Sequence, residues 1–139
     1  MSLLVLALLA GAAGGSEDVI PGPVPTRMTG VIDGDTIMVR ARIWLGQEVE
    51  NRVRLAGADA PELNGGCEAE RRLVRRARDF VRDKAAGGRV VLSYIAYGKY
   101  TGRVLARVRA PGGEDFSEAL IAAGLARAYG GGRRRSWCP

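Results

Sequence analysis

Three short segments concentrate charge at turns beside alternating apolar runs. Val31-Ile32-Asp33-Gly34-Asp35-Thr36 sets two carboxylates across one glycine. Val53-Arg54-Leu55-Ala56-Gly57-Ala58-Asp59-Ala60-Pro61-Glu62 carries an arginine followed by two more carboxylates. Gly98-Lys99-Tyr100-Thr101-Gly102-Arg103-Val104 adds two cations beside a tyrosine. The chain has no histidine, which excludes Ser-His-Asp and Cys-His nucleophilic sites, His-ligated zinc and a histidine general base. Its two cysteines form no CxxC and cannot build a zinc site alone. What remains is the chemistry of carboxylates, arginines, hydroxyls and a hard metal ion. That set suits phosphodiester hydrolysis. Asp oxygens hold calcium or magnesium, the ion polarises the phosphate, a carboxylate takes a proton from water, and arginines brace the developing charge. Arginine fits the last role because its planar fork matches two phosphate oxygens.

These segments need a frame. Thr29 to Ile32, Thr36 to Trp44 and Val49 to Ala56 read as strands, the first two separated by the turn signal Asp33-Gly34-Asp35. Arg40, Arg42, Arg52 and Arg54 alternate with apolar neighbours, giving each strand one wet and one buried face. Arg89 to Ala96 and Val104 to Arg109 add two more, and five short strands suggest a small closed or partly closed antiparallel barrel. Glu68 to about Lys84 reads as a helix with Leu73, Val74, Ala77, Phe80 and Val81 on one face. Its many arginines are read as a solvated face rather than a nucleic-acid-reading one. A second helix begins at Ser117, capped by Asp115 or Ser117, and runs into Ala128. The fold class is therefore α+β, mainly β, with two helices packed on the barrel.

The chain has 139 residues, 47% apolar and 26% charged, which suits one folded domain and excludes a disordered tail. A net charge of +6 draws polyanions, unless it merely reflects a GC-rich genome spelling its basic residues as arginine. Met1 to Gly15 is expected to be an export signal: Leu3 to Ala10 are apolar, Gly11 to Gly15 are small, and the stretch is too short to span a bilayer. Residues 16–28 then form a Pro-rich loop ahead of a domain over 29–139. Export to the periplasm or medium would place Cys67 and Cys138 in an oxidising compartment, where pairing would stabilise the fold by ~4 kcal/mol. The alternative is one buried and one frayed thiol.

At these residues the sequence resembles the staphylococcal nuclease (thermonuclease) family. Asp33-Gly34-Asp35-Thr36, Arg54-Leu55 followed by Asp59-Ala60-Pro61-Glu62, Gly102-Arg103 before a strand, and Ser117-Glu118-Ala119-Leu120-Ile121-Ala122-Ala123-Gly124-Leu125-Ala126 occur in the family's order, over Gly30 to Tyr129. The resemblance implies a five-stranded OB-type barrel and calcium-dependent cleavage of nucleic acid; DNA and RNA are the expected partners, and the chain is expected to be a monomer. By position, Asp35 and Asp59 would bind one divalent cation with the backbone carbonyl of Ala60, and Asp33 would support them through water. Glu62 would be the general base, Arg54 and Arg103 the phosphate clamp. Lys99 and Tyr100 would lie along the nucleotide and Tyr129 would stack on a base. Ala60 stands where the family commonly has threonine, and Thr101 is an extra residue between Tyr100 and Gly102. The plainer roles for these residues are a hairpin turn for Asp33 and Asp35, helix capping for Asp59 and Glu62, surface positions for Arg54 and Arg103, and packing for the tyrosines.

The expected function is thus an exported endonuclease of low sequence specificity leaving 3′-phosphate ends. Specificity is low because phosphate carries no base information. The competing readings are an OB-type module that binds single strands without turnover and an envelope protein contacting anionic lipid.

Overall fold

The computed structural model describes residues 18–99 and 102–139. The expected signal at 1–15, together with Tyr100 and Thr101, lies outside the described residues. In chain order the elements are β1 (Val24–Asp33), β2 (Thr36–Trp44), β3 (Gln47–Leu55), β4 (Ala58–Asp59), α1 (Glu68–Lys84), β5 (Arg89–Tyr97), β6 (Arg103–Arg109), α2 (Phe116–Ala122) and β7 (Arg127–Ala128).

The strands close into a barrel in the order β1-β2-β3-β6-β5, with β5 returning to β1. Alternation builds the interior: Ile37, Val39, Val53, Leu55, Val90, Leu92, Ala106 and Val108 point inward and are buried. The barrel is mixed rather than wholly antiparallel as expected. β3 and β6 run parallel, with Arg52 opposite Arg103 and Arg54 opposite Leu105. The chain between them passes through β4, α1 and β5, and such a crossover delivers β6 in the same direction as β3.

Two further boundaries differ from expectation. The first strand begins at Val24, inside the segment expected to be a loop. Its first three residues, Val24 to Thr26, pair only with β5, and Arg27 is the first to pair on both sides, with Arg89 of β5 and Arg40 of β2. Pro25 therefore faces a side where no donor is required. α2 stops at Ala122, not Ala128. Gly124 at φ 73 and the bonds Gly124 N–H to Ile121 O (3.0 Å) and Leu125 N–H to Leu120 O (2.9 Å) terminate it in a Schellman motif. Leu125 then buries beside Leu120 and Phe116.

α1 lies across β1, burying Val74, Ala77 and Val81. β4 and β7 form a two-stranded ribbon, pairing Ala58 with Ala128 and Asp59 with Arg127. Among the described residues no helix is long and apolar enough to cross a membrane.

Candidate active site

The β1–β2 hairpin is joined by Gly34-Asp35, with Asp33 opposite Thr36 as its last pair. The Asp35 N–H donates to Asp33 Oδ1 (3.2 Å), fixing the turn through the side chain. A register shift between Val31 and Asp33 bends the strand as it enters. Gly34 is needed for close approach: a Cβ there would lie 2.7 Å from Ala77 Cβ in α1 and 2.9 Å from Ala60 Cβ. The turn is thus wedged between α1 and the Asp59-Ala60-Pro61 segment.

That wedge buries Asp35 to 4% exposure. Its Oδ2 accepts from the Ala60 N–H (2.9 Å) and its Oδ1 from the Thr36 hydroxyl (3.1 Å). Its main-chain carbonyl accepts from Leu55 N–H at 2.8 Å, tying the turn to the end of β3. Asp33 sits beside it, its carboxyl pushed up to about 7, first by burial and then by the charge of Asp35.

Asp59 is carried in on β4 and is 3% exposed. Buried Pro61 anchors the next step of the chain, and the Glu62 side chain stays 55% exposed. A residue not singled out by sequence reasoning holds Glu62 in place. Glu70, buried at the third position of α1, accepts from Glu62 N–H (3.2 Å) and Gly66 N–H (3.1 Å). Cys67 is the N-cap of that helix, and its Sγ accepts from Glu70 N–H at 3.4 Å. The spacing of a cap residue and a glutamate three positions on is a capping-box signature, and it was the available signal. Here the glutamate reaches over to the loop in front of the helix instead of back to the cap.

Beside the carboxylates, a cleft of about 840 Å³ opens across the β3–β6 seam, lined by Arg54, Lys99, Arg103, Arg107 and Tyr129. Arg54 Nη2 lies 3.8 Å from Asp35 Oδ2, and this buried nitrogen makes no hydrogen bond among the described residues. An arginine that lines a cleft and keeps spare donor capacity is suited to an anion. The Tyr129 ring lies 5.2 Å from the Arg54 guanidinium, and its hydroxyl donates to Gly132 O (2.6 Å). Arg103 is the first residue of β6 and lines the cleft. Gly98 closes the preceding turn through its N–H to Arg103 O (2.8 Å), where any Cβ would meet that oxygen at 2.4 Å. Arg107, also not anticipated, donates to Ala56 O (3.2 Å) and lies 3.7 Å from buried Asp115.

The largest surprise is Arg134, in what the sequence presents only as a basic tail. Its guanidinium reaches all three carboxylates: Nε donates to Asp59 Oδ1 (2.5 Å), Nη1 to Glu62 Oε1, and Nη2 to Asp35 Oδ2 (3.4 Å) and Ala60 O (3.3 Å). Burial works against its charge, but the Asp59 hydrogen bond and the charges of Asp59, Asp35 and Glu62 outweigh this and raise its pKa. A cation thus already sits where Asp35, Asp59, Glu62 and the Ala60 carbonyl converge. The donors are all oxygen, and three carboxylates exceed the charge of one guanidinium. Asp35, Asp59 and the Ala60 carbonyl are the hard donor type that a divalent ion such as calcium takes, with Glu62 beside them. A disulfide joins Cys138, four residues on, to Cys67 at the N-cap of α1. Cys67, Cys138 and Glu70 also cluster as possible metal donors, but the disulfide uses both sulfurs.

A closed barrel with convergent carboxylates at one hairpin turn and arginines on the adjoining seam defines an OB-type barrel with an anion-facing site. Residues 52–136, more than half of the chain, match the family model described as staphylococcal nuclease homologue, and the chain belongs to that family of nucleases. An Escherichia coli protein named as an uncharacterized endonuclease is 31% identical over 114 residues, covering 82% of this chain and 67% of that protein. A protein of the same name from Escherichia coli O157:H7 aligns to the same extent. The family match begins at Arg52, so Asp33 and Asp35 precede it; the β1–β2 turn brings Asp35 to the Ala60 N–H, next to Asp59.

Proposed function

We propose that this chain is an exported, calcium-dependent endonuclease that hydrolyses DNA and RNA with little sequence preference and leaves 3′-phosphate ends. The observation that carries the reading is the convergence of Asp35, Asp59, Glu62 and the Ala60 carbonyl on one cation beside an arginine-lined cleft. Family membership and the endonuclease names of its relatives support it. Asp35, Asp59 and the Ala60 carbonyl would hold the divalent ion, with Asp33 behind them. When bound, the ion supplies charge neutralisation at the phosphate.

The chain's own residues do the rest. Arg54, held between Asp35 and the Tyr129 ring, and Arg103 across the seam grip non-bridging oxygens of the scissile phosphate. Glu62, exposed and fixed through its own N–H by Glu70, accepts the proton of the attacking water. The water oxygen bonds to phosphorus, the bond from phosphorus to the 5′-oxygen breaks, and that oxygen leaves taking a proton from solvent. Lys99 and Tyr100 run along the nucleotide. Residues 1–15 direct export, the disulfide suits an oxidising compartment, and the protein acts as a monomer.

One observation favours the alternative of binding without turnover: Arg134 already neutralises part of the carboxylate charge. Incubation of denatured DNA with the purified protein separates the two. Cleavage is expected with calcium and not with chelator, and Glu62→Gln should lower the rate by ~10²-fold or more while keeping DNA binding. Polymerase should extend the products only after phosphatase treatment. Cleavage in chelator, or a fully active Glu62→Gln, would remove the proposed mechanism. Salt-sensitive binding with no cleavage in any divalent metal would establish the binding module.

A further inference from the structure

We propose that Arg134 sets the affinity of the carboxylate site for its divalent cation, as a tethered competitor held in place by the Cys67–Cys138 disulfide. The inference rests on the cation-binding reading above and adds a residue and a covalent tether to it.

Arg134 uses the oxygens that an ion would take, Asp59 Oδ1, Asp35 Oδ2 and the Ala60 carbonyl, and bonds the neighbouring Glu62 Oε1 as well. Occupancy by guanidinium and by a metal ion is therefore mutually exclusive at those atoms. Nor does the side chain reach the site by a loose tail. On the near side, Tyr129 pairs its N–H with Gly57 O (3.1 Å) and its hydroxyl with Gly132 O (2.6 Å). Gly131 and Gly132, at φ 108 and 87, turn the chain back toward the carboxylates. On the far side, Arg127 donates to Arg135 O (3.1 Å) and Ser136 O (3.0 Å) and stacks on Trp137 at 3.9 Å. The disulfide then fixes Cys138 to the first turn of α1, whose Glu70 holds Glu62. Arg133 and Arg135, the neighbours on either side, are exposed, so of the three arginines only the middle one is aimed inward.

A tethered group competes at the high effective concentration its linkage imposes, millimolar or more for a short link. An ion that binds only when Arg134 has withdrawn sees its affinity reduced by the fraction of time the site is free of it. Docking for nine-tenths of the time weakens apparent binding about tenfold, and tighter docking weakens it further. The tether does not seal the site: a withdrawn Arg134 stays within a side chain's length of the carboxylates.

Calorimetric titration with calcium, in the absence of nucleic acid, tests this. Arg134→Gln should bind calcium at least about tenfold more tightly than the wild type, and Arg134→Lys should stay close to the wild type. The Cys67→Ser/Cys138→Ser pair, which keeps Arg134 but frees the strap, should tighten binding by a smaller factor. An Arg134→Gln protein that is folded by circular dichroism and binds calcium equally or more weakly overturns the proposal; an unchanged cysteine variant overturns the tether. In the wild type itself, the NMR resonance of the Arg134 Nε–H should shift in step with calcium occupancy, which keeps the test open if a variant misfolds. A resonance that stays fixed while calcium binds overturns the proposal as well. Absence of calcium binding in every protein instead strikes the cation reading, and this inference with it.

Discussion

Replacing Glu70 by glutamine should damage both stability and turnover, although the residue lies outside the carboxylate cluster. Its carboxylate accepts two main-chain hydrogen bonds, from Glu62 N–H (3.2 Å) and Gly66 N–H (3.1 Å), one on each oxygen. It is buried beneath Gly65, whose added Cβ would come within 2.7 Å of Glu70 Cγ. Glutamine is nearly isosteric but keeps one acceptor and turns an NH₂ toward the other N–H. Hydrogen bonds to charged groups contribute about 1.5–3 kcal/mol each. One is lost, the other loses its charge assistance, and water partly replaces what the exposed loop gives up. The net cost works out at about 2–3 kcal/mol. For a domain of this size that is a fall in melting temperature of roughly 8–12 °C. Because Glu62 hangs on the loop, kcat for cleavage of denatured DNA should fall by ~10-fold or more, with KM nearly unchanged. A thermal melt and a steady-state cleavage assay suffice. A melt within about 2 °C of wild type, or an unaltered kcat, would show that Glu70 does not hold the base.

Two further perturbations bear on the hairpin turn. Gly34→Ala forces a Cβ to within 2.7 Å of Ala77 Cβ and 2.9 Å of Ala60 Cβ, and should cost about 1–3 kcal/mol by overpacking. Adding Ala77→Gly should recover part of that in a double-mutant cycle by urea unfolding, and strict additivity would refute the wedge. The second concerns pH. Asp33 titrates at about 7 in the fold against 3.8 normally, so the folded chain holds a proton that the unfolded chain releases. Stability from this group is present at low pH and is lost as pH rises from 3.8 to about 7. Asp33→Asn, uncharged throughout, should therefore gain on the wild type across that window when unfolding is followed in chelator; a gap that stays constant with pH would refute the burial of Asp33.

Much of the frame was legible because the signals were local. The period-two alternation in Thr36–Trp44 and in Arg52 to Leu55, and the apolar stripe of Val74, Ala77 and Val81, point at the elements that formed. What could not be read was who pairs with whom. No property of Arg52 or Arg103 announces that β3 and β6 run parallel. Pro25 hid the start of β1, since its tolerance depends on β2 not reaching that far. The end of α2 was written in Gly124-Leu125, but the apolar run through Ala126 masked it. The site divides the same way. Asp35, Arg54, Asp59 and Glu62 sit in motifs where type and spacing speak directly. Arg134 lies 99 positions from Asp35, and only the folded chain shows which of three consecutive arginines turns in.

The parallel seam carries a consequence for how the molecule comes to be. β1–β2, β2–β3 and β5–β6 are neighbours joined by short turns, so two sub-sheets can form from nearby sequence. The joins β3–β6 and β1–β5 bring together distant stretches and must wait for the larger loss of chain entropy. Arg54 stands on one bank of the β3–β6 join and Arg103 on the other. In a nascent chain with its hairpins made, the acidic turn is present but Arg54 and Arg103 do not yet face a common space. The proposed phosphate clamp of Arg54 and Arg103 therefore comes into being only when β3 and β6 are joined.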